Sequence, residues 1–194
     1  REMDWASSTI GLPRDWPPGL KTLTALMLAS KQPMFIVWGN ELTTLYNDGY
    51  AEILEAKHPS MGKRFDDIWP EIWSDLRGIV ERAYSGESVH VGDMPLEMNR
   101  KGYPEETHFS FSYTPFHDEN GQVRGFFCPC SEISQEVLET RRMALRNELT
   151  DALRSAEDES AVREVAAALL GRHLSADTVG FSEADPSGTL FTID

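Results

Sequence analysis

With 194 residues, 40% of them hydrophobic and 26% charged, the chain has the composition of a folded globular protein and not of a disordered segment. Acidic residues outnumber basic ones 32 to 18, and the resulting formal charge of −14 repels phosphate backbones and anionic lipid, so neither nucleic acid nor a membrane surface is an expected partner. No apolar run approaches the ~20 residues a bilayer span needs. No basic-then-apolar leader follows Arg1, and two cysteines one residue apart close no useful loop, so a cytoplasmic location is expected. The chain starts at Arg1 and stops at "TLFTID", a strand-like run with no partner strand after it, which predicts a piece of a longer protein.

Residues Leu20, Leu23, Leu26, Met27 and Leu28 are spaced for a short amphipathic helix entered through Pro17 and Pro18. "MFIVWG" (34–39) and "LTTLYN" (42–47) are β-rich runs joined by Gly39-Asn40-Glu41, which predicts two antiparallel strands in a hairpin. Short helical turns follow. A longer helix then carries Ile72, Leu76, Ile79, Val80 and Ala83 on one stripe, with Gly86 as its stop.

Three more strands are expected at 89–99, 107–116 and 123–133. The second alternates, Phe109, Phe111 and Tyr113 on one face, His108, Ser110 and Ser112 on the other. "HDENG" makes the last two strands a hairpin. Two strands, helices and three strands give an α+β layout around one five-stranded antiparallel sheet. From Gln135 the chain turns into strong helix formers without Gly or Pro, and Leu138, Arg142, Leu145, Leu149, Ala152 and Ala156 step by heptad spacing with one charged intruder. Such a narrow seam calls for a partner helix, unless the helix packs back on its own sheet. A further unit opens at Asp158, expected to cap a helix that Gly171 ends, followed by a strand, a "PSG" turn and a strand.

"MFIVWGNELTTLYNDGYAEIL", "GKRFDDIWPEIW" and "GYPEETHFSFSYTPFHDENGQVRGFFC" resemble stretches of PAS sensor domains at the front of bacterial sensor histidine kinases, and "DWASSTIGLPRDWPPGLKTLTALMLAS" resembles the cap that precedes them. The resemblance covers about residues 4–134. It implies a helical cap (1–33), a PAS domain (34–134), a coiled-coil signalling helix (135–157) and the beginning of a GAF-like domain (158–194). Glu132-Ile133-Ser134 looks like the family's closing acidic-aliphatic-hydroxyl motif, with Glu in place of the more usual Asp. By that resemblance these three residues carry the signal relay.

Catalytic signatures do not occur: there is no Gly-x-Ser-x-Gly elbow, no Gly-Lys-Ser/Thr phosphate loop and no His-Glu-x-x-His zinc pair. Cys128 and Cys130 share a face of one strand, where burial is the ordinary role of free Cys, and a closed zinc site needs about four ligands. No metal site is therefore expected. The resemblance also bears on cofactors. The light-sensing branch carries an Asn-Cys-Arg-Phe motif where this chain reads "GKRFDDIWPEIW", and haem-binding relatives offer a His on the long helix, whereas residues 71–88 contain none. His90 reads as a surface strand residue, and His58, His108 and His117 as solvated ones. Trp38, Tyr46, Trp69, Trp73, Phe111, Tyr113 and Cys128 form either a small ligand pocket or plain core.

The expectation is thus a sensory and dimerisation module without catalysis of its own or an assigned cofactor. It forms a homodimer through the signalling helix, with GAF and histidine kinase domains following in cis and a response regulator as the parent protein's partner. The alternative is a PAS domain bearing flavin, haem or another chromophore as a photo- or redox sensor.

Overall fold

The computed structural model describes residue 5 and residues 8–154, 156, 158–174, 176–180, 182–184 and 191–193. Helix α1 (Pro18–Ala29) leads to strands β1 (Met34–Trp38) and β2 (Thr43–Tyr46), then helices α2 (Asp48–Leu54), α3 (Phe65–Ile68) and α4 (Trp73–Tyr84). Strands β3 (Val89–Met98), β4 (Glu105–His117) and β5 (Val123–Glu132) follow, and helix α5 (Ser134–Arg154) leaves the sheet. After it come α6 (Glu159–Leu174), β6 (Ser182–Ala184) and β7 (Phe191–Ile193). The expected "PSG" turn lies outside the described residues. The chain forms two compact units that divide between Ser134 and Gln135.

The first unit is a five-stranded sheet in the order β2-β1-β5-β4-β3, with every neighbouring pair antiparallel. The last strand therefore lies at the centre, and what leaves its end leaves from the middle of the platform. Side chains alternate between its faces. On β1, Phe35 and Val37 enter the core under α2, α3 and α4, while Ile36 and Trp38 enter a second core with Trp16, Leu20 and Met27 of the cap. Gly86, at φ 95°, sits just past the end of α4, where its amide reaches back to the Ala83 carbonyl at 3.0 Å, as its position in the sequence predicts.

Asn47 joins cap and sheet. It is 3% exposed, and its carbonyl oxygen accepts from the amides of Met34 (3.0 Å) and Tyr50 (3.1 Å), the latter capping α2. Its amide nitrogen donates to the carbonyls of Met27 (3.1 Å), Ser30 (3.2 Å) and Gln32 (2.8 Å), which fixes the exit from α1.

In the second unit α5 has no fully buried residue; Leu138, Leu145, Leu149 and Ala152 are half-buried and Arg142 is exposed. Leu145 shares a groove with Leu169 of α6. The heptad's last position, Ala156, lies past the helix end at Arg154, where its amide reaches the Leu153 carbonyl three residues back at 3.4 Å. Asp158 accepts from the Ala161 amide at 2.8 Å and caps α6. Gly171 does not end that helix, which runs on to Leu174; Gly171 instead gives its carbonyl to the Ala176 amide at 3.0 Å in the terminal turn.

Candidate functional site

Between the inner face of the sheet and helices α2–α4 lies a cavity of about 40 Å³. Strand alternation supplies its floor: Phe109, Phe111 and Tyr113 from β4, Cys128 and Cys130 from β5, and Phe35 from β1. Its roof is Tyr50 and Ile53 of α2, Phe65 of α3, and Trp69, Ile72 and Leu76 around the start of α4.

The walls are aromatic with a few polar tips. Trp69 Nε1 donates to the Tyr50 hydroxyl at 2.9 Å, and Lys57 Nζ stands 4.9 Å above the Trp69 ring while donating to the Ile68 carbonyl (2.8 Å) and to Glu71 (2.9 Å). Burial pushes the phenols of Tyr50 and Tyr113 and the Cys128 thiol well above their ordinary ranges. At neutral pH the cavity therefore presents neutral donors. Among its lining residues no nucleophile stands beside a base.

The expected pocket residues divide. Trp69, Phe111, Tyr113 and Cys128 line the cavity. Tyr46 and Trp73 belong to the same core without reaching it: the Tyr46 hydroxyl accepts from the Ser60 amide at 2.8 Å, and Trp73 meets the Phe65 ring edge-on at 6.4 Å. Trp38 lies on the opposite face, tilted against Phe116 at 5.4 Å, because it stands one residue from Val37 on a strand. Phe35, Tyr50 and Phe65 escaped the sequence assignment: "MFIVW" is apolar throughout and gives no sign of which face Phe35 takes, and Tyr50 and Phe65 sit on helices too short to show a period.

A cavity this size fits a flavin, haem or comparable chromophore poorly, since pockets for such molecules run to ~300 Å³ and above.

The segment Glu132-Ile133-Ser134 is held from two sides. Arg100, 3% exposed, directs Nη1 and Nη2 at the two carboxylate oxygens of Glu132, both at 2.7 Å, and Nε at Glu105 at 2.8 Å. Its Nη1 also donates to the Ile53 carbonyl at 3.2 Å, and the guanidinium lies 5.9 Å from the Phe109 ring. One buried cation thus touches the last turn of α2 on the cavity wall and the residue two before α5. Ser134 Oγ donates to Glu132 at 3.0 Å and accepts from the His108 amide at 2.9 Å, and the Ile133 amide donates to the His108 carbonyl at 2.8 Å. Nothing in the sequence separates Arg100 from the other surface-type basic residues.

His108 departs from the solvated role expected of it. It is 2% exposed, not solvated, with Nδ1 2.6 Å from Asp93 and Nε2 2.9 Å from Glu106. The register shift between Val91 and Met94 is what carries Asp93 onto it. His90 is exposed and meets Ser112 at 2.9 Å. Asp66 pairs with Arg64 at 2.9 Å and Glu71 with Lys57, structural uses for both carboxylates.

The family model described as the PAS fold matches residues 28–138. No curated protein matches the chain. Among solved structures, the PAS domain of BvgS from Bordetella pertussis is 16% identical with a TM-score of 0.50, over 66% of this chain and 96% of that one. A sensory box sensor histidine kinase from Vibrio cholerae is 16% identical with a TM-score of 0.40, over 58% of this chain and 87% of that one. An RNA-binding light-oxygen-voltage receptor is 12% identical with a TM-score of 0.47, over 62% of this chain and 35% of that one. At 16% identity the likeness to the BvgS domain is one of fold alone. With the five-stranded order, the covering helices and a family match over more than half its length, the chain belongs to the PAS family.

Proposed function

We propose that this chain is the sensory module of a larger cytoplasmic signalling protein, in which the core cavity receives the input and the Arg100–Glu132 junction hands it to α5. The observation that supports this most is the double attachment of Arg100 to the Ile53 carbonyl on the cavity wall and to Glu132 at the root of the helix. A shift of α2 that lengthens one arm of the guanidinium alters the other, because its donors form a rigid fork. In this reading α5 pairs with α5 of a second copy through Leu138, Leu145, Leu149 and Ala152, and Arg142 keeps that seam shallow enough to hold two arrangements of similar energy. The segment from Asp158 opens a GAF domain, and a histidine kinase in cis acts on a response regulator; the chain itself performs no catalysis. The cavity volume weighs against the chromophore-bearing alternative.

Sedimentation velocity of the full chain tests the seam. The wild type is expected to dimerise with rising concentration, and the pair of changes Leu138→Asp and Leu149→Asp to abolish this while the sheet keeps its circular-dichroism spectrum. A wild type that stays monomeric throughout, or a variant that dimerises as well as it does, overturns the dimeric relay.

A further inference from the structure

Cys128 and Cys130 are both free, 0% and 4% exposed, and both stand on the cavity wall. The residue between them is Pro129, which offers no amide to the sheet. The pairing of β4 with β5 passes from Phe111↔Cys130 to Thr114↔Phe127 in one register, and on the other side Cys128 pairs with Phe35 of β1, so both cysteines are carried on a strand held from both sides. Besides a backbone contact from Ser112 to Cys128, their contacts are long sulfur–carbonyl ones, Cys128 to Pro129 at 3.5 Å and Cys130 to Pro33 at 3.7 Å, which tie up little donor strength.

We propose that Cys128 and Cys130 form a dithiol site, on the cavity floor, for a single soft, two-coordinate metal ion of the Cu(I) or Hg(II) kind.

Ligand count and softness select this class. Among the described residues no group of three or more His, Cys, Asp or Glu is placed to hold a metal. That leaves zinc, which takes four ligands, and the oxygen-seeking cations without a ligand set, whereas thiolates favour soft ions. Size agrees: about 40 Å³ admits an ion and little else. Reach agrees as well. Strand residues two apart are separated by about 6.6–6.8 Å, near the outer limit for a direct sulfur–sulfur bond. Two metal–sulfur bonds of about 2.3 Å leave the sulfurs up to about 4.6 Å apart, against about 2.05 Å in a disulfide, and so ask for less displacement of the strand. Charge completes the case. Hg(II) displaces both thiol protons to give a neutral bis-thiolate, and Cu(I) displaces one to give a neutral thiolate–thiol complex, so neither leaves net charge among Phe35, Phe111 and Tyr113.

This deepens the sensory reading by naming what its cavity takes, and the assay below measures binding whether or not α5 responds. The full chain is titrated with mercuric chloride, and separately with Cu(I) held by a competing chelator, in the presence of excess glutathione as monothiol competitor. After desalting, metal per chain is counted by mass spectrometry. One ion retained per chain is expected, with retention falling on the order of a hundredfold or more in Cys128→Ser and in Cys130→Ser as the chelate is reduced to one sulfur. Loss of the ion from wild type to glutathione, two ions per chain, or undiminished retention by either serine variant overturns the site. The wild-type count decides the matter even where a variant folds poorly.

Discussion

Arg100 and Glu132 meet through two parallel contacts of 2.7 Å each, across 32 residues of chain, at the point where the sheet ends and α5 is about to begin. The guanidinium is almost wholly buried, while the side chain of Glu132 keeps 31% of its surface in water. Losing the carboxylate charge therefore costs more on the arginine side than on its own. Glu105, at 2.8 Å from Arg100 Nε, prevents the cation from being stranded.

Glu132→Gln is accordingly expected to destabilise the first unit by about 1–3 kcal/mol, the range for hydrogen bonds to charged groups and for their loss. Arg100→Met removes the same contacts and frees the Ile53 carbonyl. The double change should then cost less than the two single costs added, since both report one shared interaction. Urea unfolding of the four proteins measures the coupling; strict additivity would show that the two residues do not act as a pair.

The same contacts set an acid limit on stability. For Glu132 and Glu105, burial works to raise the carboxyl pKa, yet the hydrogen bonds from Arg100 and its charge prevail and hold both below the ordinary 4.5. Glu71 behaves alike, burial being outweighed by Lys57 and by backbone amides. With folded values lowered, the unfolded chain binds more protons in the window beneath its own pKa, so stability rises with pH there. The contribution is complete above the unfolded value and drains as pH falls through the folded ones. Acid titration followed by circular dichroism should show a plateau that gives way below the ordinary carboxyl range, with a shallower decline in Glu132→Gln. An unchanged slope in that variant would remove Glu132 from the account.

Much of this architecture was legible because it rests on local periodicity. The alternation of "THFSFSY" places Phe109, Phe111 and Tyr113 inward, and the helix stop at Gly86 and the cap at Asp158 follow from backbone chemistry that a residue type announces. The features that escaped are set by partners far away in sequence. Trp38 looks like a neighbour of Trp69 until the parity of β1 assigns it to the cap. His108 looks solvated until a bulge delivers Asp93. Gly125 carries no visible mark of its role, yet a Cβ there would stand 2.1 Å from the Val37 carbonyl of the adjacent strand. The heptad on α5 was readable as a pattern, but pattern alone does not say what covers it.

Asn47 offers the sharpest test of how the cap is fastened. An amide at this position accepts from two backbone N–H groups and shares its two hydrogens among three carbonyls, all within 3.2 Å. Asp has the same outline and keeps the acceptor role, including the cap of α2, but when ionised it donates nothing and turns a negative charge toward the carbonyls of Met27, Ser30 and Gln32. Asn47→Asp should therefore cost about 3 kcal/mol or more, as several groups lose their partner and a charge is buried without one. Part of that cost is avoidable if the new carboxyl stays protonated and donates one hydrogen bond. Its folded pKa is then raised above the unfolded value, and the penalty grows as pH rises from mildly acidic to neutral. Urea unfolding of wild type and variant at both conditions reads the difference. A gap that stays constant with pH, or one that closes toward neutrality, would show that the donor side of Asn47 does not hold α1 to the sheet.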